Sequence, residues 1–454
     1  MATVSQPARP RPDAADLAVA VAALVAFATL LWLGRGLTFF ADEWAVIAER
    51  SISLESFLRP FNEHWLGVTT IVYRLVLGVV GLSTYMPYLA LLAALHVIVV
   101  LEVYVLARRV TAPALAALAA VVIAFFGSGF ENLFWGIQIG FVGAIGLGLG
   151  AVILLDGRPS PGRVVAATGL LTVGIMTSGF GLFMLAFAGL DLLLDPRRRR
   201  LVLALVVPAA IYLAWYVVYG RSGVATAREP FTLDAILSVP AFVLDGVGTA
   251  FGSVVGVGPL LGRLGAIVLA VGLVVHVVRG GPVPGRALAC FGAVVVEYGV
   301  IGLIRAQLFD GAAEYSRYAY LSGIFALLGI LSLIGHRTMP ADPRRRLAVV
   351  AGLAGVFTLA MIWNVWLLRD GRELFAGRAD STRAAIVVAM GDLPPGVDPT
   401  AVKLMDRTIT RLREVVGEFG SPLTDSLAGE AVRPVPPSLI GSVRAWVASP
   451  PVAP

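Results

Sequence analysis

Charge, cysteine and lysine are all scarce in this chain of 454 residues. Charged residues make up 14% of it and hydrophobic ones 58%, whereas about a quarter of a soluble globular protein is charged. With a mean hydropathy of +0.86, that balance excludes an ordinary soluble enzyme. The single cysteine, Cys290, lies in an apolar stretch, which excludes a disulfide framework. Lys403 is the only lysine, so the net charge of +6 is carried by arginine. Those arginines form short clusters between apolar runs and read as topology signals, which argues against a nucleic-acid partner. No phosphate-cradling Gly-rich loop, zinc-ligand spacing or Gly-x-Ser-x-Gly elbow is present, which argues against an ATP-driven pump and a serine hydrolase.

Long apolar runs take the place of charge. A bilayer core needs roughly 17–25 apolar residues per helix. Segments 17–33, 86–107, 112–126, 137–155, 164–176, 180–194, 201–219, 264–278, 287–304, 320–334 and 347–367 meet or approach that length. Segment 65–82 is ambiguous, and the basic clusters decide it, because arginine gathers in short cytoplasmic loops. These clusters are Arg108-Arg109, Arg158 with Arg163, Arg197 to Arg200, Arg279 with Arg286, and Arg337 with Arg344 to Arg346. If 65–82 crosses, every cluster falls outside. If it lies at the interface or dips in and returns, every cluster falls inside, and Arg74 within the segment favours this arrangement.

The expected fold class is therefore an all-α polytopic membrane protein with about eleven transmembrane helices. Its N-terminus is expected in the cytoplasm and its C-terminus outside the plasma (inner) membrane. Residues 1–16 read as a disordered cytoplasmic tail, 17–367 as the transmembrane domain, and 368–454 as an extracytoplasmic tail or small helical module. In that tail, Val402, Met405, Ile409, Leu412 and Val416 form one helical stripe. The short spans 164–176 and 180–194 meet at Thr177-Ser178-Gly179.

This topology collects the polar residues on the outer face. In the first outer loop Phe40, Trp44 and Ile47 recur at helical spacing and predict an interfacial helix that starts at Asp42 and Glu43. Adjacent carboxylates just after a span suit proton transfer, since low dielectric and mutual repulsion raise at least one pKa; they also suit a helix cap facing headgroups. Glu63 and His64 could ligate a divalent metal or grip a phosphate, or anchor the surface. Glu131, Asn132, Trp135 and Gln138 combine a carboxylate, amides and a ring, the mix that sugar recognition uses and that an interfacial aromatic belt also shows. Arg317, beside Tyr318, can bind a phosphate bidentately or act as an interfacial anchor. Inside the spans, Glu297 needs a partner or a cavity, Glu102 is expected to pair with Arg108 or Arg109, and His96 to be a satisfied core residue. Asp191, Asp195 and His276 lie close to cytoplasmic ends, where they can snorkel.

Asp42-Glu43 after a first span, Glu63-His64-Trp65 in an interfacial segment, Gly81-Leu82-Ser83 before the next span and Arg108-Arg109 at its end together resemble the GT-C superfamily. Its members are polytopic glycosyltransferases that use polyprenyl-phosphate sugars, among them protein O-mannosyltransferases and aminoarabinose transferases. The resemblance covers residues 17–138 best, with weaker agreement at Ser316-Arg317-Tyr318, and the family's His-Pro-Pro-Leu stands here as Glu63-His64-Trp65-Leu66. It implies a GT-C-like fold with Asp42 as general base, Glu43 positioning the acceptor or a metal, and Arg317 holding the departing lipid phosphate.

The expected function is thus transfer of a sugar from a polyprenyl-phosphate donor to a hydroxyl of a glycan, lipid or protein acceptor on the extracytoplasmic face. No cofactor is certain, a divalent metal is possible, and membrane lipids are partners. A secondary transporter or flippase, and a non-catalytic envelope assembly protein, are the alternatives. Direct displacement predicts inversion at the anomeric carbon; anomeric analysis of the product showing retention would exclude it.

Overall fold

The computed structural model describes residues 12–62, 64–223, 232–307, 311–337, 339–423 and 434–448. Helix α1 (Ala14–Leu33) starts at a capping box in which Asp13 and Asp16 exchange backbone and side-chain bonds. Short helices α2 (Asp42–Glu49), α3 (Leu54–Leu58) and α4 (Gly67–Val80) fill the first connection. The bundle continues with α5 (Met86–Val110), α6 (Pro113–Ala124), α7 (Glu131–Phe134), α8 (Ile139–Leu155), α9 (Pro161–Thr177), α10 (Phe180–Leu193), α11 (Val206–Val218), α12 (Leu233–Val255), α13 (Gly258–Val278), α14 (Gly285–Arg305), α15 (Ser316–Ile334) and α16 (Pro343–Met390). Proline in the first turn of α5, α6, α9, α13 and α16 presets the helical φ where its missing N–H costs nothing.

Among the described residues, nine helices are long and apolar enough to cross a membrane. The chain is an all-α polytopic membrane protein. Close approach of small residues locks its helices, as where Gly262 of α13 lies against the backbone of Gly248 and Gly252 in α12.

The arginine clusters share one end of the bundle. Arg108 pairs with Asp13, Arg109 with Asp156, and Arg198 and Arg286 with both Asp156 and Asp191. Thr111 donates to Gly335 O after α15 (3.0 Å). Asp191 is buried beneath Arg198 (3.1 Å) and Arg286 (2.9 Å) rather than snorkelling. Glu102 does not pair with Arg108 or Arg109, whose carboxylate partners are Asp13, Asp16 and Asp156. His96 is satisfied in the core by Tyr320 Oη (2.7 Å) and Ala124 O (3.3 Å). Glu297 is fully buried, and neither of its oxygens has a partner among the described residues.

The opposite end holds the first connection. The C-terminal end of α1 and the N-terminal end of α5 both lie there, so the segment between them makes no net crossing. At 14 residues, α4 spans roughly 21 Å and falls short of a bilayer core of roughly 30 Å. Trp65 stacks on Trp215 near the end of α11, with ring centroids 4.9 Å apart and planes within 4°. The stretch 220–263 contains α12. Phe242 of α12 meets Gly302 near the end of α14, Gly246 meets Tyr298, and Phe251 stacks on Phe291 in the first half of α14, so α12 runs antiparallel alongside α14.

Helix α16 has 48 residues, roughly 70 Å, and runs far past the bundle. Arg372 and Arg383 on its extension donate to Leu33 O (3.3 Å) and Gly36 O (2.8 Å), capping the end of α1. The tail also departs from the expected single helical stripe. Val402 and Met405 belong to a hairpin of β1 (Lys403–Leu404) and β2 (Arg407–Thr408), whose turn residues Met405 and Asp406 take φ of 52° and 59°. Only α17 (Ile409–Phe419) is helical there, followed by α18 (Pro437–Ala448). This tail folds back onto the first connection: Arg411 donates to Ala48 O (2.6 Å), Leu82 N to Phe419 O (2.7 Å), and the Arg74 guanidinium lies 4.9 Å from the Phe419 ring centre.

Removing one side of a buried ion pair strands the other charge, at about 3–5 kcal/mol. Arg286→Gln is therefore expected to lower the thermal midpoint of the purified protein in detergent strongly, and Asp191→Asn in the same chain to restore part of it. Unchanged unfolding of Arg286→Gln would show that the network contributes no stability.

Candidate active site

The site grows from the start of α2. Ala41, just before it, has φ +46° and ψ −113°, a region that disfavours side chains and costs about 1–3 kcal/mol. Its surroundings hold it there: Trp44 N donates to Ala41 O (3.0 Å) and Trp135 Nε1 to Phe40 O (3.1 Å). Glu43 completes the clamp. Its carboxylate is fully buried and accepts from Tyr73 Oη (2.6 Å), Tyr85 Oη (2.9 Å) and Phe40 N (2.7 Å). Tyr85 in turn accepts from Gly136 N (2.7 Å). A Cβ on Gly136 would stand 2.6 Å from Glu43 Oε1, so only glycine lets the two loops meet. Glu43 therefore departs from the expected role of positioning an acceptor or a metal, because both oxygens are committed inside the protein.

Asp42, one residue earlier, points elsewhere. Its carboxylate is partly exposed, and among the described residues no hydrogen bond or ion pair holds it. Burial pushes its pKa up, against the pull of Arg317, Arg305 and Arg407. Those arginines come from the start of α15, the end of α14 and the tail hairpin. Arg407 is itself tied to Glu49 of α2 at 3.0 Å.

Arg317 is held by the loop in which sugar contacts were expected. Glu131 Oε2 accepts from Arg317 N (3.2 Å) and lies 4.0 Å from its Nε, and Ser316 Oγ accepts from Glu131 N (3.0 Å). Asn132 Nδ2 donates to Arg317 O (3.0 Å). Asn132 and Gln138 are buried at 0% and 1% exposure, and Asn132 Oδ1 and Gln138 Oε1 have no hydrogen-bond partner among the described residues. The Arg317 guanidinium stands over Tyr315 (4.8 Å), Tyr318 (5.6 Å) and Trp135 (5.8 Å).

From there an aromatic wall runs on. Tyr318 stacks on Phe180 (6.3 Å), Phe180 on Phe141 (4.3 Å), and His64 meets Phe141 edge-on (5.9 Å) under Gly179. His64 thus sits at the far end of the wall from Trp135 and Phe40. Glu63 lies outside the described residues. No group of three or more His, Cys, Asp or Glu side chains gathers as metal ligands among the described residues.

Several site residues escaped sequence reasoning. Arg378 on the α16 extension lies 4.7 Å from the Phe40 ring centre and 4.8 Å from that of Phe375. Arg305, Arg407, Tyr73 and Tyr85 join it. Nothing in their local sequence marks them; only the Phe375–Arg378 spacing, one helical turn, hints at a ring-supported guanidinium.

Together these define a membrane protein with a carboxylate and arginine cluster at one end of its helical bundle. Comparison with protein-family models, curated proteins and solved structures found no match.

Burial raises Glu43 from 4.5 to about 8. The unfolded chain releases that proton near 4.5 while the folded one keeps it, so folding stability declines as pH rises through this interval. In detergent, the thermal midpoint of wild type is expected to fall relative to Glu43→Gln between about pH 5 and pH 8. A difference that stays constant over the interval would show that Glu43 carries no buried proton.

Proposed function

We propose that this protein is an integral membrane glycosyltransferase that moves a sugar from a polyprenyl-phosphate donor to an acceptor hydroxyl on the extracytoplasmic face. The observation that carries this reading is the Asp42 carboxylate, unclaimed by hydrogen bonds among the described residues and opposed by Arg317, Arg305 and Arg407. Such a pairing suits one reaction type. Asp42 takes the proton of the acceptor hydroxyl, the oxygen attacks the anomeric carbon, and the bond to the phosphate oxygen breaks. The arginines stabilise the charge that develops on the departing phosphate. A sugar on a lipid phosphate already has a good leaving group, so a base, an anion clamp and orientation suffice. The arginine clusters at the opposite end support an outer placement, and the resemblance at Asp42-Glu43 and Arg108-Arg109 supports a GT-C-like fold of about eleven spans.

A transporter or flippase is the second reading, favoured by Glu297, whose carboxylate is buried among the α14 contacts without a partner among the described residues.

Transfer of a radiolabelled sugar from polyprenyl-phosphate donors to envelope acceptors tests the proposal. Asp42→Asn, at equal folded amount, is expected to reduce transfer by about 10²–10⁴-fold. Equal transfer by wild type and Asp42→Asn removes Asp42 as base. Absence of transfer by wild type with every donor, together with transport lost in Glu297→Gln, would favour the second reading.

A further inference from the structure

Arg378 and Arg317 flank one aromatic cluster. Arg378 rests on Phe40 and Phe375, Arg317 on Trp135, Tyr315 and Tyr318, and the rings of Phe40, Trp135 and Phe375 touch one another at 5.8–6.4 Å. Rings hold a guanidinium by its face and leave its N–H edge free. Among the described residues, Arg378 has no hydrogen bond or ion pair, and Arg317 Nε has no hydrogen bond. Burial and the neighbouring Arg317 both work against the charge on Arg378, with only Glu131 in its favour. Glu131 cannot neutralise both, because one carboxylate carries a single charge against two guanidinium groups. Half-buried like charges with unused donors, held in place by five rings, are a built site for an anion.

Arg317 and Arg305 both act on Asp42, whereas Arg378 meets Arg317 across the shared ring cluster. We propose that Arg378 and Arg317 form a second oxyanion subsite, so that the substrate carries a second phosphate or acid group beyond the one that departs opposite Asp42. The subsite rests on the transferase reading for its place in a reaction, but it is a binding site in its own right. Its oxyanion comes from one of two sources, a diphosphate linkage in the lipid donor or an acidic group on the acceptor.

The test uses the full chain in detergent and measures binding by calorimetry of a short prenyl monophosphate, the matching prenyl diphosphate, and a sugar phosphate as acidic acceptor mimic. Wild type is expected to bind the diphosphate, or the monophosphate in the presence of the sugar phosphate, at least about tenfold more tightly than the monophosphate alone. The first result assigns the oxyanion to the donor, the second to the acceptor. Arg378→Gln is expected to lose that gain and keep monophosphate binding, and Arg378→Lys, which keeps charge without the planar fork, to recover part of it. Equal binding of all ligands by wild type, or a gain retained in Arg378→Gln, overturns the second subsite while leaving the phosphate clamp intact. Failure of wild type to bind any of the phosphates overturns the subsite and the transferase reading together.

Discussion

The buried Glu43 carboxylate is the contact on which the candidate site depends. It draws a tyrosine from α4, a tyrosine from the start of α5 and the backbone of its own loop to one point. Through Tyr85 it also reaches Gly136, in the loop that carries Trp135. Two oxygens, each able to take part in more than one hydrogen bond, let a single side chain gather these donors in a small volume. The strain at Ala41 persists because these contacts over-determine the backbone. Asp42 is consequently turned away from the clamp and toward the arginines. Neighbouring carboxylates that look alike in sequence thus have opposite environments, one closed and one open.

Arginine does different work at the two ends of the bundle. At one end Arg198 and Arg286 are neutralised by buried aspartates, which closes the end as structure. At the other, Arg317 and Arg378 lie on aromatic rings and Arg305 and Arg407 face Asp42. Rings orient a guanidinium without cancelling its charge. That contrast, rather than the number of arginines, separates topology from binding.

The C-terminal region is part of the same construction. Helix α16 continues beyond the bundle, closes α1 with Arg372 and Arg383, and brings Arg378 over Phe40. The hairpin and α17 then settle on α2 and α4, so Arg407 arrives beside Asp42. A tail that reads as a small helical module thus also supplies side chains to the candidate site.

Local sequence determined the helical membrane character, the helix starts marked by proline, the sorting of arginine clusters to one end and the break at Thr177-Ser178-Gly179. These follow from apolar run length, ring closure in proline and charge bias, which need no distant partner. Sequence also marked Asp42, Glu131, Trp135, His64 and Arg317 as notable. It could not assign their roles: Glu131 and Asn132 hold the backbone of Arg317, Glu43 locks its loop, and Arg378 and Arg407 join the site from a tail hundreds of residues away. The non-glycine turn at Met405-Asp406 likewise converted a helical stripe into a hairpin. Such roles arise from contacts between residues far apart in the chain, and burial and charge partners, which decide what a carboxylate or guanidinium can do, exist only once the helices have packed.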